Sequence, residues 1–197
     1  FGAVVLDFLA RLFVTHHTGW FINSWAHMFG SKPYSKEHSA VNNAVLALFT
    51  FGEGYHNYHH TFPSDYRNGV RWYQYDPTKI VIWCLAKIGI AKNLKKIELP
   101  LIKRRIILED QRVVLERIKM LGHQKLKEIE EKVRTTAKNL SNKLSEMYTQ
   151  ILAYKAKYYT LPKEERKALK VKLKTLRKST RQEYKVWIKL CNTILTR

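Results

Sequence analysis

Residues 52–60 read GEGYHNYHH, and residues 61–79 continue TFPSDYRNGVRWYQYDPTK. His56, His59 and His60 stand at i, i+3 and i+4, so a single helical turn presents three imidazoles on one face. Imidazole is a ligand suited to iron, and rings sharing a face converge on a small volume. Three of the chain's eight histidines within five residues is far from a chance scatter, and the pattern reads as a set of metal ligands. Upstream, residues 23–27 read NSWAH. Asn23 and His27 are four apart, on the same helix face, at the end of an apolar run.

Working outward, residues 1–26 are mostly apolar and have the length of a membrane span. Asp7 and Arg11 interrupt the run at i,i+4, where each can neutralise the other. His16, His17, Trp20 and Trp25 near its end suggest an interfacial belt. Residues 30–43 are polar and carry Gly30 and Pro33 as breakers, which predicts a loop. Residues 44–54 are apolar but too short to span, so they predict a buried or interfacial helix. Residues 78–91, after Asp76-Pro77, predict a short amphipathic helix whose Lys79 and Lys87 can snorkel to a membrane surface.

From residue 101 to about 159 apolar positions recur at threes and fours: Ile107, Val114, Ile118, Leu121, Leu126, Ile129 and Val133, with one five-residue step. Thr160-Leu161-Pro162 then breaks the pattern, with Thr160 as a candidate cap and Glu164 and Glu165 in the first turn of a second helix running to about Thr196. The expected fold is therefore mainly α. It comprises a membrane helix (1–26), a helical cytosolic cap bearing the histidines (27–97) and a long basic helical hairpin (98–197).

The average of 45% hydrophobic residues hides these unlike halves. Residues 1–97 carry ten Lys or Arg against five Asp or Glu, and residues 98–197 carry 26 against 11. Seven of the eight histidines precede residue 61. Cys84 and Cys191 lie in different halves without metal-site spacing, so neither a disulfide framework nor a zinc site is indicated. Phe1 opens inside the apolar run without signal-peptide features, and the chain reads as truncated.

The phrases NSWAHMFGSKPY (23–34) and GEGYHNYHHTFPSDYRNGVRWYQYDPTK (52–79) resemble the acyl-CoA desaturase family of integral membrane di-iron enzymes. The likeness runs to about Lys96, roughly half the chain, and residues 16–24 (HHTGWFINS) lean towards its bacterial branch. The resemblance implies an oxidoreductase that inserts a cis double bond into a fatty acyl chain, acyl-CoA by preference. It uses dioxygen, two irons and external electrons from a cytochrome b-type protein or ferredoxin, with the metal site on the cytosolic side of a membrane. Carried over by position, His27, His56, His59 and His60 match iron ligands. Asn23 matches a residue holding a metal-bound water, and Trp20 one lining the bend of the acyl tunnel. Glu53 is a candidate to orient a ligand ring, and no catalytic residue beyond the metal ligands is expected. His16 and His17 match no ligand and read as interfacial, while His38 and His123 read as ordinary histidines.

The family's two earlier histidine clusters have no counterpart in this sequence, so the iron ligand set is incomplete and the isolated chain is expected to be inactive. Residues 98–197 lie outside the resemblance. They read first as a self-packed hairpin, with docking to anionic lipid or an acidic electron donor as alternatives. Nucleic-acid binding is not expected, because charge alone supports it. The rival readings are a histidine-box membrane hydroxylase or oxygenase, and a non-enzymatic membrane-associated protein with a basic helical tail.

Overall fold

Asp76 shows how local chemistry sets this fold. Its Oδ1 accepts the Lys79 backbone N–H (3.0 Å) and so caps the helix that starts at Pro77. Its Oδ2 accepts from the backbone N–H groups of Asn68 and Gly69 (both 2.8 Å), tying the irregular aromatic segment to that cap. The computed structural model describes residues 2–121 and 126–196, arranged in two compact units, Phe1–Ile97 and Glu98–Arg197. Among the described residues there is no strand, only isolated antiparallel bridges pairing Ser31 with Asn42 and Asn42 with Tyr55.

The first unit contains α1 (Gly2–Asn23), α2 (Trp25–Met28), α3 (Ala44–Phe49), α4 (His56–Thr61) and α5 (Pro77–Lys87). Helix α1 occupies the apolar run and carries the expected Asp7–Arg11 pair (2.9 Å). The membrane span expected of it is corrected: among the described residues no helix is long and apolar enough to cross a membrane. Asp7, Arg11, His16, His17 and Asn23 dilute the run, and α1 stops at Asn23 instead of residue 26. It buries none of its residues, and Val4, Leu6, Phe8 and Phe13 stand exposed. Between α1 and α3 lies a cleft of about 510 Å³, walled by Phe13, Phe21, Trp25, Leu46 and Phe49 among others.

Asn43 caps α3 by accepting from Leu46 N–H (3.0 Å) and donates its Nδ2 to Phe29 O (2.9 Å). Helix α3 is shorter than its apolar stretch, because Phe51 (φ 52°) and Gly52 (φ 103°) turn the chain into the left-handed region. Tyr58 anchors the far side of α4. It is fully buried, and its hydroxyl donates to Asp65 Oδ2 (2.7 Å). Asp65 also accepts from Arg67 Nε (2.9 Å) and from Ile97 N–H (2.8 Å), which fastens the end of the unit. Burial acts to raise the Asp65 carboxyl, but these donors overcome it and hold the group below the usual carboxylate range.

Among the described residues the second unit holds three helices in place of the expected hairpin: α6 (Leu99–Leu121), α7 (Leu126–Lys157) and α8 (Lys163–Leu195). Arg104 Nε donates to Ser141 Oγ (3.0 Å) and Lys155 pairs with Glu98, so α6 and α7 run antiparallel. Lys143 pairs with Glu183 across α7 and α8. The core takes Ile107, Val114, Ile118 and Val133 from the periodic positions and joins them with Leu140, Leu144 and the fully buried Trp187 in one cluster. Thr160 does not cap α8; its hydroxyl donates back to Lys157 O (3.1 Å). Glu164 and Glu165 do fall in the first turn of α8, where they complement the helix dipole. His123 lies outside the described residues.

Candidate metal centre

Two glycines make room for the histidine turn. Gly52 takes a positive φ that L side chains avoid. Gly54 is needed for space: a Cβ there would lie 2.2 Å from Ala47 N and 2.6 Å from Asn43 O, both backbone atoms. Gly54 O accepts from Asn43 N–H (2.8 Å), which brings the start of α4 against the start of α3. Helix α4 then projects His56 and His60 to one side and Asn57 and Tyr58 into the protein, both fully buried.

The second wall comes from α2. Val41 N–H donates to Ala26 O (2.8 Å) and Asn57 N–H to Val41 O (3.2 Å), so the segment around Val41 ties α2 to α4. This places His27 opposite the histidine turn. His27 Nε2 lies 3.1 Å from His56 Nε2, which lies 3.0 Å from His60 Nε2, and ligand atoms of all three fit within 4.8 Å of one another. His56 is buried, His27 half-buried and His60 exposed, so the group opens at one side.

His27 Nδ1 pairs with Ser39 Oγ (2.8 Å). With the proton on Nδ1, the His27 Nε2 lone pair faces the other rings. Three imidazole nitrogens converge here, and in the tautomers that turn their lone pairs inward a cation satisfies all three. The donor set thus fits a first-row transition metal on its own chemistry. Electrostatics agree: burial first, and then the neighbouring imidazoles His60, His27, His59 and His38, push His56 down to about 4. Burial and the charges of His59, His38 and His27 also lower His60. Rings held neutral keep their lone pairs available for a metal.

The other sequence-predicted residues are placed as follows. His59 is exposed, its ring 5.9 Å from that of His56 and 5.8 Å from that of His60, outside the convergent group. Asn23 is exposed at the end of α1 and donates its Nδ2 to Gly19 O (3.1 Å). Trp20 is exposed, its ring 5.0 Å from that of His17. His17 Nδ1 donates to Phe13 O (2.8 Å), because a carbonyl oxygen can only accept. The Glu53 side chain is exposed and makes no hydrogen bond to an imidazole among the described residues; Ser39 takes the orienting place expected of it.

Asn57 is the residue that sequence reasoning passed over. Its Oδ1 accepts from Tyr34 N–H (2.9 Å), and its Nδ2 donates to Ser35 O (2.7 Å) and Ala40 O (2.9 Å). It therefore clamps both ends of loop 34–40 to the helix that carries the histidines. The only local signal is an amide side chain inside a histidine turn.

Comparison with known proteins bears on the same residues. The family model for fatty acid desaturase matches residues 1–90. A probable acyl-CoA desaturase of Schizosaccharomyces pombe is 47% identical over 106 residues, covering 54% of this chain and 22% of that protein. Acyl-CoA desaturase 1 of Saccharomyces cerevisiae is 41% identical over 113 residues, covering 57% and 22%. Stearoyl-CoA desaturase of Homo sapiens is 40% identical over 105 residues, covering 53% and 29%. The chain thus spans less than a third of the length of these relatives.

Proposed function

We propose that this chain, whose residues 1–90 match the family model for fatty acid desaturase, carries part of the iron centre of a membrane-associated acyl-CoA desaturase. The carrying observation is the convergence of His27, His56 and His60 from two helices that share no local sequence. In this reading those three rings hold one iron, and His59 serves the second from the same turn. Asn23 reaches the centre through water, and Trp20 lines the path of the acyl chain. Iron bound there supplies activation of dioxygen for removing hydrogen from an unactivated methylene pair, with electrons from an external donor protein.

The protein's own part is positional. Ser39 fixes the His27 ring, Asn57 fixes the loop bearing Ser39, and burial of His56 keeps its ring unprotonated. The cleft of about 510 Å³ beside α1 offers an apolar surface suited to an acyl chain, and the exposed apolar side chains of α1 suit lipid or further apolar protein surface. Four matched imidazoles do not complete two irons, so the 197-residue chain alone is expected to form no oleoyl product from stearoyl-CoA with ferrous iron and reductant.

The reading is tested by a chimera. Residues 1–97 replace the corresponding segment of the S. pombe relative, and the fatty acids made by the chimera are analysed by mass spectrometry. A new unsaturated product, lost on His56→Ala, is the expected result. A hydroxylated product would move the assignment to the hydroxylase reading, and absence of any product from a stably expressed chimera would overturn it.

A further inference from the structure

We propose that His38 is a further nitrogen donor to this metal centre. The inference rests on the metal reading above but not on the sequence resemblance, which matches His38 to no ligand. Its ring lies 5.5 Å from that of His60, centroid to centroid. Its Nδ1 is buried and has no hydrogen-bond partner, an arrangement that costs free energy unless something else satisfies that nitrogen. The loop that presents it is not free to drift. Asn57 holds that loop at Tyr34 and at Ala40, and the next residue, Ser39, already holds His27. Adjacent residues of one clamped loop therefore serve the cluster in two ways, Ser39 through the outer nitrogen of His27 and His38 through a nitrogen of its own. A loop needed only to steady His27 would require the serine and no imidazole beside it. The ligand is a divalent first-row metal ion with a preference for imidazole.

The test uses the full chain, metal-free and in detergent, titrated with Co²⁺ alone and followed by its visible d–d absorption. Wild type is expected to take up Co²⁺. His38→Ala and His38→Phe are both expected to bind it about tenfold or more weakly, since even outer partners of metal-bound histidines act on that scale. The phenylalanine variant keeps a ring against His60 and removes only the nitrogens. Wild-type affinity in either variant therefore overturns the proposal, leaving His38 a packing residue or a bystander. No uptake by wild type overturns the metal reading and this inference together. If the variants lose their far-UV circular dichroism, diethylpyrocarbonate labelling of wild type decides instead. Co²⁺ should protect His38, and equal labelling with and without the metal refutes the proposal.

Discussion

His56 contributes a pH response to the first unit. Its imidazole titrates near 6.5 when the chain is unfolded and is pushed down to about 4 when folded, by burial and then by the neighbouring rings. Between those values the unfolded chain binds a proton that the folded one does not, so stability rises with pH. Stability is thus complete above the unfolded value and is lost as pH falls from 6.5 towards 4. Protection factors at α4, which allow for the intrinsic slowing of amide exchange towards acid, should fall across that window, and the fall should shrink in His56→Asn; unchanged protection in wild type would refute this. Asn57 makes the other prediction at this scale. Asn57→Ala strips hydrogen bonds from Tyr34 N–H and Ala40 O in a buried site, at about 2 kcal/mol or more. Because loop 34–40 also positions Ser39, Co²⁺ affinity should fall with stability. A variant that is destabilised yet binds Co²⁺ as wild type does would separate the clamp from the site.

Between elements, the close approach of α3 and the start of α4 depends on Gly54. An added methyl meets backbone at 2.2 Å, and backbone cannot swing aside as a side chain can. Gly54→Ala is expected to cost about 1–3 kcal/mol, the range for overpacking, and to loosen metal binding by displacing α4. Thermal unfolding and Co²⁺ titration of the same sample check both. In the second unit the corresponding point is Trp187, fully buried among the α6, α7 and α8 side chains, with its Nε1 donating to Asp110 (3.3 Å). Trp187→Ala should cost about 3–5 kcal/mol in urea unfolding. An effect below 1 kcal/mol would mean that the three-helix core does not close around this ring.

Across the whole molecule, what the sequence determined was everything that depends on near neighbours. The i, i+3, i+4 spacing of His56, His59 and His60, the Asn43 and Asp76 caps, and the apolar period of α6 to α8 need only a few residues of context. Tertiary structure decided the rest, because it turns on which distant residues meet. His27 and His56 are 29 residues apart, and His60, in place of His59, completes their group because the bridge through Val41 sets the angle between α2 and α4. His38, Ser39 and Asn57 look unremarkable in the sequence, since spacing says nothing of a loop folded back over a helix. Local geometry is fixed by covalent proximity, but a site shared between helices is fixed by the hydrogen bonds that join them.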